Sequence, residues 1–177
     1  MPIYTATAAA AAGDTGGSNT GQDFFEITAP ANSQVKIRKV QIGQYSDAGD
    51  AAAELLSVRV IRFRGAAGDT GTMGSGGGSV TVRNIHGHPN APSAQATVRK
   101  NNTTLAQDTG APVAATLETL IADSFNIAAG WWFDPPEEEM IVVDVNDRLV
   151  VRVSAAADPL SMNGTLIWEE SGRKAPS

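Results

Sequence analysis

The sequence predicts an all-β protein, a β-sandwich or jelly roll with an extended N-terminal arm. Three observations carry this expectation. Short runs rich in Val, Ile, Thr and Phe alternate apolar with polar positions, the period of a strand with one buried face. Turn-forming clusters separate these runs, supplied by 18 glycines and 9 prolines among 177 residues. Helical periodicity is scarce, and about eight to ten short strands at this spacing suit two packed sheets.

Residues 1–22 read as the arm: a β-prone start over 3–7, then alanines, then Gly13-Asp14-Thr15-Gly16-Gly17-Ser18-Asn19. Such a composition buries too little apolar surface to stay ordered alone. The arm is therefore expected to reach along a neighbouring molecule. A single sandwich domain is expected over 23–177. It opens with Phe24, Phe25 and Ile27, followed by a turn at 28–32. Val35 and Ile37 then alternate, and so do Val40 and Ile42, but the two pairs are out of phase, the signature of a β-bulge or a change of face. After a loop or single helical turn at 47–53, residues 55–63 alternate well, with Leu56, Val58 and Val60 opposing Arg59, Ile61 and Phe63. The stretch 65–78, with its glycine run at 71–78, reads as a flexible loop or hairpin tip. Short strands are expected at 80–82 and 94–99. The run 116–127 is ambiguous between helix and strand, and its Thr and aromatic content favours strand. Trp131-Trp132-Phe133-Asp134-Pro135-Pro136 reads as a rigid aromatic turn. Strands are expected over 140–145, 148–153 and 165–168, with Asn146-Asp147 as a tight hairpin turn between the first two.

Charge and composition exclude several function classes. Thirteen basic against 19 acidic residues give a net charge of −6, and no basic cluster offers a track for phosphates, so no nucleic-acid partner is expected. Arg59, Arg62 and Arg64 alternate with apolar residues as on a solvated strand edge. The absence of cysteine removes disulfides, thiolate metal sites and cysteine nucleophiles together. No apolar run reaches the roughly 18 residues of a membrane helix, so no membrane partner is expected. The alanine-rich start lacks the basic and leucine-rich regions of a secretion signal.

The catalytic inventory is nearly empty, and neither an enzyme activity nor a cofactor is expected. The glycine stretch lacks the Gly-Lys-Ser/Thr ending of a phosphate loop. His86 and His88 offer two imidazoles without further ligands, which suits a turn, although three copies meeting on an axis would bring more together. Glu137-Glu138-Glu139 reads as a solvated acidic rim rather than a converging acid–base pair. No serine has a nucleophile setting. Asn101-Asn102-Thr103 fits a glycosylation pattern but reads as a turn. Consecutive aromatics cannot all enter one core, so Trp131, Trp132 and Phe133, with Pro135 and Pro136, are candidate interface residues. A carbohydrate-stacking platform built on Trp131, Trp132 and Tyr45 would use the same cluster. Ile3 and Tyr4 of the arm complete the candidate interface.

Several segments together resemble small β-rich virion proteins of tailed bacteriophages, including head decoration (cement) proteins. They are Ser124-Phe125-Asn126-Ile127, Gly130-Trp131-Trp132, Pro135-Pro136-Glu137-Glu138, residues 146–153 and residues 163–170, with a weaker match at 28–37. The resemblance covers about 140 residues in patches. It implies a jelly-roll-like homotrimer on the capsid exterior, assembled in the host cytoplasm and binding the major capsid protein. The chain lacks the size and alternating α/β pattern of a major shell protein. A tail or fibre module that recognises host-surface glycan is the alternative.

Overall fold

The computed structural model describes residues 1–13, 21–44, 55–64, 73–87, 92–106, 116–126, 128–154 and 160–172. In chain order its strands are β1 (Ile3–Gly13), β2 (Gln22–Thr28), β3 (Ser33–Gln44), β4 (Leu55–Arg64), β5 (Gly78–Ser79), β6 (Val82–Asn84), β7 (Thr97–Asn102), β8 (Thr116–Asn126), β9 (Trp131–Phe133), β10 (Ile141–Val143), β11 (Arg148–Val153) and β12 (Leu160–Gly172). They form two antiparallel sheets. The first runs β10-β3-β12-β1-β6, with β9 also on β3, and the second runs β5-β7-β2-β11-β4-β8.

The connectivity is that of a jelly roll. Early strands pair with late ones in reverse order: β1 with β12, β2 with β11, β3 with β10 and β4 with β8. The chain is thus one long antiparallel ribbon folded over its own core, and β1 to β4 alternate between sheets, as do β10 to β12. The segment holding β5, β6 and β7 widens both sheets, with β6 adding to β1 and β7 to β2.

Part of the expected arm is a strand of the sandwich. β1 lies between β12 and β6, and Tyr4, Ala6 and Ala8 are buried in the core. The alternation is real but muted, because alanine marks the inner positions as weakly as threonine marks the outer ones. Alanine suits the place. Ala8 pairs with Gly164 of β12, and Gly164 faces the Phe24 and Phe25 rings of the opposite sheet. A Cβ at Gly164 would clash with Phe24 and stand 2.8 Å from the Gln41 carbonyl oxygen. Small residues on one sheet accommodate two large rings from the other. Those rings are consecutive because β2 bulges at Phe24, and they meet edge to face at 5.1 Å.

The expected phase slip in β3 is a bulge at Arg38, since Lys39 pairs with Ile167 while Ile37 pairs with Trp168. The run 116–126 is a strand. Asn146-Asp147 turns the chain as expected, closed by the Asp147 amide donating to the Asp144 carbonyl, but it is not a hairpin. It carries the chain from β10 in the first sheet to β11 in the second. The aromatic turn is also corrected: Trp131–Phe133 is strand β9, paired with residues 40–42 of β3. Nor does β4 lie at an edge, because β11 and β8 flank it. Its Arg62 pairs with Glu118 and donates to the Val142 carbonyl of the first sheet, tying the two sheets together at one end. The loop at 47–53 lies outside the described residues.

Charged residues are buried on the outer side of the second sheet. The Arg152 guanidinium pairs with Asp23 at 2.6 Å, and Arg148 lies 3.0 Å from Glu26. Glu26 also accepts from Asn102 Nδ2 at 2.7 Å and from the Gly74 amide, while Asp23 accepts from the Ala106 amide. These contacts hold residues 73–79 and 102–106 against the sheet over a small apolar cluster of Ile61, Phe63, Ala106 and Val150. The described part of the glycine stretch is therefore a fitted cover rather than a free loop. A Cβ at Gly77 would stand 2.6 Å from Asn102 Oδ1 and collide with the Lys100 carbonyl. Burial pushes the Glu26 carboxyl up and the Arg148 guanidinium down from their ordinary pKa values, and the attraction between them opposes both shifts. Asn101 of the glycosylation pattern has φ 55° at the end of β7.

Candidate interaction surface

The outer face of the first sheet carries the most distinctive surface chemistry among the described residues. Its origin is the bulge in β3. By shifting the phase of alternation, the bulge brings Arg38 and Lys39 outward together. The partner strand is interrupted at the same level: β9 pairs with residues 40–42, β10 pairs with residues 35–37, and residues 134–140 leave the sheet between them. That excursion contains Pro135 and Pro136, neither of which can donate to a ladder. It also contains a single 3-10 turn, Glu137–Glu139, closed by the Glu139 amide donating to the Pro136 carbonyl at 3.0 Å. The three glutamates are exposed, on a turn rather than a strand.

The cations on this face are neutralised locally. Arg38 Nη1 lies 3.1 Å from Glu169 Oε2, and Lys36 Nζ lies 3.8 Å from Glu169 Oε1. Lys39 Nζ lies 3.2 Å from Asp134 on the excursion. Between the excursion and β1 is a hollow of about 380 Å³. Ile3, Ile85, Ile167, Met140 and Pro135 give it apolar walls, and Arg38, Lys39, Asp134 and Glu137 a charged rim. Apolar walls within a polar rim are the anatomy of a protein-binding patch.

The candidate interface residues divide between this face and the core. Ile3 and Pro135 line the hollow, and Pro136 is exposed at the start of the 3-10 turn. Trp132 is 64% exposed. Tyr4 and Trp131 point inward instead. The Tyr4 hydroxyl donates to the Pro92 carbonyl at 2.9 Å, its ring lies 5.8 Å from Trp168, and burial together with the nearby Glu170 carboxylate raises its pKa. Trp131 is buried, and its indole nitrogen donates to Asp123 of the second sheet at 3.1 Å. Phe133 is half-buried against the core. Strand pairing explains the split: Trp131 and Phe133 flank Trp132 on one strand, so they share the opposite face.

The chain matches no protein-family model, no curated protein and no solved structure.

Sequence reasoning missed Ile85, Ile167 and Met140. Ile167 sits between the buried Leu166 and Trp168 on β12, and only strict alternation could have placed it outside. Ile85 gave no signal, because its proximity to Ile3 depends on the pairing of β6 with β1. A second apolar feature lies on β8, which among the described residues pairs only with β4. Leu117 and Leu120 are 50% and 36% exposed there, and Leu55 on adjacent β4 is 73% exposed. His86 is exposed beside the turn after β6, where its amide donates to Asn84 Oδ1. His88 and Tyr45 lie outside the described residues. Among the described residues no three His, Asp or Glu side chains form a metal-binding group, and no helix is long and apolar enough to cross a membrane.

Proposed function

We propose that this chain is a virion structural protein that decorates a tailed-phage capsid, binding the lattice of the major capsid protein from the outside as a homotrimer. The observation that carries the reading is the amphipathic hollow on the first sheet, whose apolar walls and charge-paired rim suit contact with a folded protein surface. The resemblance of the segments around it to decoration proteins points the same way. The exposed leucines of β8 offer a separate surface for contact between copies. Function then lies in buried area and shape matching, about 800 Å² per partner for a standard interface. Repetition around a shell lets individually weak contacts act together.

The test is to measure the mass of the purified protein in solution and then sediment it with empty capsids. A trimer that co-sediments, and loses occupancy when Ile85→Asp is introduced without a change in thermal midpoint, supports the reading. A monomer that stays in the supernatant overturns it.

A further inference from the structure

Beside the hollow, the same outer face carries a row of a different character. Backbone register sets Trp132, Gln41, Thr165 and Thr7 directly opposite one another on β9, β3, β12 and β1. Directly paired residues share a face, so these four side chains form one rung across four strands, spanning about 14 Å at ordinary strand spacing. One step along, Gly43 pairs with Asn163. Thr7, Gln41, Thr165, Gly43 and Asn163 border a shallow hollow of about 350 Å³, and Trp132 stands at the end of the rung beside Gln41. A Cβ at Gly43 would stand 3.2 Å from Asn163 Oδ1, so glycine there leaves the amide uncrowded.

We propose that this rung is a binding site for a neutral carbohydrate, a short oligosaccharide lying across the strands with one ring against Trp132. Four features point to that ligand. The side chains are hydroxyls and carboxamides, which both donate and accept hydrogen bonds, as sugar hydroxyls do. Trp132 offers an exposed aromatic face for the apolar C–H face of a pyranose ring. The rung contains no Asp, Glu, Lys or Arg, and the neighbouring Lys39 is held by Asp134, which favours a neutral ligand over an acidic one. The rung crosses four strands, about 14 Å at ordinary spacing, an extent that suits a short chain better than a compact metabolite. The proposal is separate from capsid attachment, which is assigned to the adjoining hollow.

The experiment uses the isolated full-length protein without capsids. Electrophoretic retardation is measured in gels containing soluble neutral polysaccharides (a β-glucan, a galactomannan and a glycol chitin), with a polyuronate and a sialylated polymer as acidic comparators. Titration with the matching oligosaccharide is followed by tryptophan fluorescence. Trp131 and Trp168 are buried, so a blue shift on binding reports Trp132. The expected result is retardation by at least one neutral polymer. Trp132→Ala is expected to weaken binding by at least about tenfold, and Asn163→Ala or Gln41→Ala by about threefold to tenfold. Trp132→Phe should keep binding while losing the blue shift. Retention only by the acidic polymers, retention unchanged in Trp132→Ala and Asn163→Ala alike, or no retention by any neutral polymer would each overturn the proposal. Failure here leaves the sedimentation result untouched, and the reverse also holds.

Discussion

Single residues in this fold have consequences set by what lies across the sandwich from them. Gly164 is the clearest case. An added methyl group would overlap Phe24 and crowd the Gln41 carbonyl, so Gly164→Ala is expected to destabilise the protein by about 1–3 kcal/mol, measured by denaturant unfolding. The Glu26–Arg148 pair has a different signature. Removing one partner strands a buried charge, and Glu26→Ala is expected to cost about 3–5 kcal/mol. Its pH dependence also has a definite sign. Burial raises the folded-state pKa of Glu26 above its ordinary 4.5, so the folded protein holds this proton more tightly than the unfolded chain. The stabilisation is therefore fully present below that ordinary value and lost as pH rises through the higher, folded one. The difference in thermal midpoint between wild type and Glu26→Gln should shift in favour of the wild type as pH falls through this window. Glu118, held below its ordinary value by Arg62, acts with the opposite sign, and its contribution is lost on acidification. None of these residues declared itself in the sequence. Glycine reads as a turn signal, and acidic residues on a strand read as its solvated side, until the opposing sheet and the cover segment are known.

At the level of elements, legibility followed contrast between the two faces of a strand. In the first half of β4, buried Leu56, Val58 and Val60 alternate with Ser57 and Arg59, and the period of two stands out. The bulge in β3 was equally visible, because Val35 and Ile37 fall out of phase with Val40 and Ile42. β1 was hidden because alanine and threonine differ little, and its Ala/Gly composition resembles a tether. The distinction is testable. A surface arm could be removed at little cost to folding, whereas deleting residues 1–13 takes a central strand from the first sheet. The truncated protein is expected to lose its cooperative thermal transition as well as any capsid binding, as followed by circular dichroism. β9 was hidden for another reason, since the prolines that follow it suggest a turn that begins earlier than it does. The exposed leucines of β8 invite association. Leu117→Lys with Leu120→Lys is expected to lower the solution mass towards the monomer while leaving the thermal midpoint within a few degrees, read by light scattering and melting.

For the molecule as a whole, the all-β sandwich was legible while the path of the chain was not. Neighbouring strands in a sequence usually pair, and on that expectation 140–145 and 148–153 made a hairpin. Here the rule is inverted for β1 to β4, which alternate between the sheets and pair with β12, β11, β10 and β8 from the other half of the chain. The surface suffers from the same gap. Trp132, Ile3 and Pro135 could be selected by residue type, but the hollow joins β1, β3, β6, β12 and the excursion at 134–140, positions spread over most of the chain. Likewise, the row of Trp132, Gln41, Thr165 and Thr7 exists only as a product of register. What a sequence holds locally is the preference of each strand, and what it holds only globally is which side chains become neighbours.

The pairing of β1 with β12 also dictates timing. Leaving a ribosome, β1 and β3 are complete long before the strand that must separate them has been made. Until β12 is inserted, two inner edges of the first sheet stay open and Tyr4 lacks its Trp168 neighbour. Folding should therefore be late and slow for the chain's size, on the order of milliseconds to seconds, as for other proteins dominated by distant contacts. The vulnerable period is the one before β12 has been made, when half-built sheets from different nascent chains can find one another.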